Sequence, residues 1–129
     1  MPFDFRTPTA IGARINDPDT VLQYGPGYDH NWVSAKPLGA FGLQARASEP
    51  TSGRVMEVWS TEPAVQFYAG NFLNNSMIGK GGKVYQRRAG FCLEPQHFPD
   101  SPNKPNFPTT VLLPGETFQS TIVYKFSVE

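Results

Sequence analysis

Two histidines, one cysteine and eleven carboxylates are the chain's stock of groups able to move protons or hold a metal. Asp29 and His30 are adjacent within Gly27-Tyr-Asp-His-Asn-Trp-Val33, and Glu94 closes the run Gly90-Phe-Cys-Leu three residues before His97. A carboxylate and an imidazole suit general acid–base work, because environment can bring both pKa values close to neutrality. By residue type alone each also has a quieter reading. Glu94 is an acid opening a Pro-rich loop, Asp29 a turn residue bonded to its own backbone, and Gln66 a solvent-facing strand residue. His97 reads as a loop imidazole, solvated or bonded locally. If Glu94 is buried beside Phe91 and Leu93, its pKa rises and it gains strength as a base. Cys92, inside an apolar run, reads as a buried small hydrophobe. One cysteine with two histidines makes no zinc set. Lys80, Lys83, Arg87 and Arg88 flank a Gly-rich turn without phosphate-loop spacing and read as a solvated loop.

The elements that must position these groups are strands. Arg54 to Thr61 alternates Val55, Glu57 and Trp59 against Met56, Val58 and Ser60 between turn residues, which predicts a strand buried on one face or nearly both. Ala64 to Ala69 sets Val65, Phe67 and Ala69 on a packed face and Gln66 with Tyr68 on the other. A short strand is expected at Val84-Tyr85. Five prolines between Pro95 and Pro108 leave only an ordered loop or an edge. After the turn Pro114-Gly115, the residues Phe118, Ile122, Tyr124, Phe126 and Val128 form an apolar face broken by Ser120. Residues 1–31 are punctuated by Pro and Gly and read mostly as loop. No window carries the apolar spacing of a helix over two turns, so helices are short or absent and the fold is all-β, a sandwich or barrel.

The 129 residues fit a single domain spanning 1–129. Eleven basic residues balance eleven acidic ones, which leaves no surplus to neutralise phosphates and argues against nucleic acid or an anionic membrane as partner. Nothing approaches the ~20 apolar residues of a membrane-spanning helix. The N-terminus, with Asp4 and two early prolines, lacks the pattern of a signal peptide, and the expected location is the cytoplasm.

The motif GYDHNWV at 27–33 resembles one found in the aldose 1-epimerase (galactose mutarotase) family. It is preceded by PFDFRTPTAIG at 2–12 and followed, in the family's order, by GRVMEVWSTEPAVQFYAGNFL at 53–73 and GFCLEPQHFPDSPNKPNFP at 90–108. The resemblance implies an antiparallel β-sandwich, part of the galactose mutarotase-like supersandwich. It implies an enzyme that interconverts α and β anomers of aldoses such as galactose and glucose, with a small sugar as partner and no metal or organic cofactor. In that pattern Glu94 is the catalytic base, and Asp29 and Gln66 are the sugar-binding residues. Trp32, Phe67, Tyr68, Phe72 and Phe98 could stack on a pyranose, though most of the chain's rings must fill its interior.

Only the family's C-terminal portion is resembled, so the expectation is a fragment or truncated form lacking the general-acid histidines. Activity alone would then be slight, with a complementing N-terminal half needed for the acid, and a homo-oligomer would cover open sheet edges. The alternative is a non-catalytic carbohydrate-binding β domain, or an inactive relic that oligomerises through open sheet edges. A hydrolase ranks last. It would need a second carboxylate ~5–9.5 Å from Glu94, with Asp29 and Asp100 as the candidates.

Overall fold

The computed structural model describes all 129 residues. Six strands carry it: β1 (Asp29–Val33), β2 (Gly42–Glu49), β3 (Arg54–Ser60), β4 (Ala64–Tyr68), β5 (Cys92–Gln96) and β6 (Ile122–Val128). They form two three-stranded sheets, ordered β1-β4-β5 and β2-β3-β6. The only α-helix, α1, is five residues long (Thr20–Tyr24), and the expected all-β class holds. No helix is long and apolar enough to cross a membrane. By packing, the chain divides into two compact units, one made of residues 1–30 with 67–92 and the other of residues 31–66 with 93–129.

The first unit is built around Tyr28, which is fully buried. Its ring stacks on Phe67 at 5.3 Å and meets the edge of Phe5 at 5.1 Å, while its hydroxyl donates to the Pro2 carbonyl. Burial chiefly raises the Tyr28 pKa, so the phenol stays a neutral donor. Arg14 lies over the Phe5 ring at 5.4 Å. Helix α1 starts because Asp19 caps it, its carboxylate accepting from the amides of Val21 and Leu22, and it buries Leu22. Arg88, expected in a solvated loop, instead reaches Asn71 Oδ1, Asn16 Oδ1 and the Pro26 carbonyl. A guanidinium carries enough donors to satisfy several oxygens that turn segments leave over, which is why this member of the basic cluster is drawn inward.

The second unit is built on the antiparallel sheet β2-β3-β6. Residues Arg54–Ser60 face Val128–Ile122 on one side and Glu49–Gly42 on the other, with a bulge between Leu43 and Ala45. Central strand β3 buries Val55, Val58 and Ser60 and so packs on both faces, as its apolar composition predicts. Strand β4 buries Val65 and Phe67 and leaves Gln66 and Tyr68 half-buried, also as expected. The predicted strand at Val84-Tyr85 is reduced to one bridge between Ile78 and Val84. Strand β6 starts only at Ile122, and Tyr124, Phe126 and Val128 on its expected apolar face are exposed.

Candidate functional site

Strand β5 lies at the edge of its sheet, the position at which Pro95 can sit without breaking a ladder. Its alternation turns Cys92 and Glu94 outward and Leu93 inward. Cys92 is exposed, which corrects its reading as a buried small hydrophobe, and Glu94 is exposed, so the condition of burial beside Phe91 and Leu93 is not met. An edge strand with nothing packed over its outer face cannot bury either side chain. Gln66, at the centre of β4, is half-buried on the strand that neighbours β5, and both it and Glu94 fall within the second unit.

Asp29 opens β1 and belongs to the first unit. It is half-buried, and its backbone amide donates to His30 Nδ1 at 3.0 Å. The segment before it is held tightly. The Tyr28 carbonyl accepts from the Ala69 amide at 2.9 Å and from Asn71 Nδ2 at 2.8 Å. Gly27 has φ +137°, and a Cβ there would collide with the Asn71 amide group.

A cluster absent from the sequence reading gathers around Glu62 in the second unit. The Glu62 side chain is 8% exposed, and its two oxygens accept from His97 Nδ1 at 2.8 Å and Ser120 Oγ at 2.5 Å. Its carbonyl accepts from Lys36 Nζ and Gln44 Nε2, both at 2.7 Å, and its amide donates to Ser60 Oγ at 2.7 Å. Burial lowers the Lys36 pKa, with Glu62 opposing the shift. A carboxylate can only accept from Nδ1–H, so in a neutral ring His97 Nε2 carries the lone pair. His97, Glu62 and Ser120 line a cavity of about 520 Å³ together with Gln96, Phe118 and Ile122. Here an oriented imidazole can take or give a proton, but Glu62 and Ser120 lie 35 and 58 residues from their partners and no spacing rule could have joined them. No group of three or more His, Cys, Asp or Glu side chains could hold a metal ion.

A family model described as aldose 1-epimerase matches residues 1–125. Galactose mutarotase of Homo sapiens is 44% identical over 126 residues, covering 98% of this chain and 35% of its own length. Aldose 1-epimerase of Escherichia coli (strain K12) is 33% identical over 129 residues, covering 98% of this chain and 37% of the relative. A crystal structure of a GalM/aldose epimerase homologue from C. elegans superposes with a TM-score of 0.68 at 31% identity, over 78% of this chain and 30% of that one. The chain thus spans about a third of the length of these relatives. With the family model matched almost end to end and both sheets present, the chain belongs to the aldose 1-epimerase family.

Proposed function

We propose that this chain carries the general base and sugar contacts of an aldose 1-epimerase, acting on the anomeric centre of a hexose such as galactose or glucose. Anomer exchange opens the pyranose, turns the C1–C2 bond and closes the ring on the opposite face of the aldehyde. A base takes the proton of the C1 hydroxyl while an acid protonates the ring oxygen, and the roles reverse on closure. Glu94 is the base, Asp29 accepts hydrogen bonds from the sugar hydroxyls, and Gln66 both accepts from them and donates to them. The observation that carries this reading is the match of all three positions to the family's motifs in chain order. The exposure of Glu94 on edge strand β5 supports it, since the carboxylate is open to a ligand.

No imidazole in this chain matches the family's acid, and polypeptide equivalent to the rest of the relatives' length supplies it. Of the two histidines here, His97 has a ring nitrogen oriented by a carboxylate and lines a cavity, which makes it the first variant to examine if the chain is active by itself. Polarimetry on fresh α-D-glucose and α-D-galactose, comparing the chain, Glu94→Gln and buffer, tests the proposal. Addition of the N-terminal portion of a relative is expected to give an acceleration that Glu94→Gln lowers by about 10²- to 10⁴-fold. An acceleration unchanged by Glu94→Gln would overturn the role of Glu94. A folded chain that binds either sugar yet never accelerates mutarotation, with or without that portion, would favour the carbohydrate-binding domain instead.

A further inference from the structure

His30 sits between two backbone groups whose roles are fixed. Its Nδ1 is 3.0 Å from the Asp29 amide nitrogen, which can only donate, and its Nε2 is 3.0 Å from the Val21 carbonyl oxygen, which can only accept. One protonation state satisfies both: a neutral ring with the hydrogen on Nε2 and the lone pair on Nδ1. Phe3 meets the ring edge-on at 4.9 Å and 68°, which limits its rotation. Val21 belongs to α1, so the imidazole links that helix to the first residue of β1. On the other flank a Cβ at Gly25 would meet Asp29 Cβ at 3.1 Å, so the backbone there is close enough to confine the aspartate.

We infer that His30 is a positioning residue for Asp29, holding the aspartate's backbone for sugar binding through a locked Nε2–H tautomer, and takes no part in proton transfer to substrate. This rests on the reading of Asp29 as a sugar contact. An Asp29 amide bonded to the next residue's ring cannot turn toward other acceptors, so the carboxylate is presented from a fixed start of β1. The imidazole has no nitrogen to spare for an acid's work, because each already serves a backbone group.

The first test needs no substitution. Long-range ¹⁵N–¹H correlation spectra of the full chain are expected to show a protonated Nε2 and a bare Nδ1 for His30. An Nδ1–H tautomer or a rapidly averaging ring would overturn the inference. The second test uses graded variants. His30→Asn keeps an acceptor near the Asp29 amide, His30→Gln keeps a donor toward Val21, and His30→Phe keeps only the ring. Hydrogen exchange at the Asp29 amide is expected to stay close to wild type in His30→Asn and to quicken by about tenfold in His30→Gln and His30→Phe. D-galactose affinity, followed by NMR titration, is expected to fall in the same order. Unchanged Asp29 protection in His30→Gln would overturn the inference, as would a loss of galactose affinity in Asp29→Asn that no His30 variant shares. Galactose binding that is absent, or indifferent to Asp29→Asn, would overturn the reading on which it rests, and the tautomer spectrum separates the two failures.

Discussion

A buried acceptor is worth most when several donors depend on it, and Glu62 is such an acceptor. Glu62→Ala removes the shared acceptor of His97, which is 29% exposed, and of exposed Ser120, for an expected loss of about 1–2 kcal/mol by urea titration. Glu62→Gln, which keeps one acceptor oxygen, should lose about half of that. Gly27 makes the complementary point about backbone: Gly27→Ala combines a positive φ with a collision at Asn71, the side chain that also holds the Tyr28 carbonyl. Its expected cost is at least ~2 kcal/mol, read from the same titration. Residue identity was legible only as a proposal where a motif named it, as at Asp29, Gln66 and Glu94. It was not legible at Glu62, whose partners come from distant chain, or at Arg88, where only packing shows that a loop cation turns inward.

Among the elements, β3 and β4 could be read because each keeps a strict alternation between turn residues. Strand β2 could not: the bulge between Leu43 and Ala45 shifts its phase, and Arg46, Ser48 and Glu49 leave little apolar pattern. The turn joining β2 to β3 makes a specific forecast. Glu49 accepts from the amides of Thr51 and Ser52 at 2.8 Å and from Ser52 Oγ, and these bonds, the Ser52 hydroxyl first, draw its pKa from 4.5 down to about 2. Glu57 on β3 is also lowered, first by the Trp59 indole and then by Lys125. A carboxyl whose folded pKa lies below its unfolded value stabilises the fold above the unfolded pKa and loses that contribution as pH falls through the folded one. Stability of the β2-β3-β6 sheet should therefore decline between pH 4.5 and about 2, and Glu49→Gln should flatten that decline. Urea midpoints at about pH 3 and about pH 6 check it, and equal slopes in both proteins would exclude Glu49 as a source.

For the molecule entire, the class was visible from its turn residues and alternating strands, while the amount of uncovered apolar surface was not. Within the second unit Val111, Leu112, Leu113, Phe118, Phe126 and Val128 are all more than half exposed, and β6 is an edge strand. The C-terminal pattern implied a packed face because alternation reports which residues share a side, never whether anything lies against it. Apolar side chains beside an open edge favour pairing with further chain. Concentration-dependent association is the expected result in sedimentation velocity, and Phe126→Lys should reduce it. Monomeric behaviour up to about 100 μM would show that the edge is adequately protected by its charged neighbours.

The Glu62 cluster also has a consequence for the order in which the chain assembles. Its carboxylate can leave water only after His97 and Ser120 arrive from 35 and 58 residues away, so closing those loops must precede the gain. Contacts that form only after the barrier act on the rate of escape from the native state, and contacts within the barrier act on the rate of reaching it, so the two rates of a Glu62 variant show where the cluster closes. The three side chains that line the cavity would serve as a kinetic clasp if they close late, and a weakened Glu62 would then shorten the native lifetime while leaving refolding speed nearly unchanged.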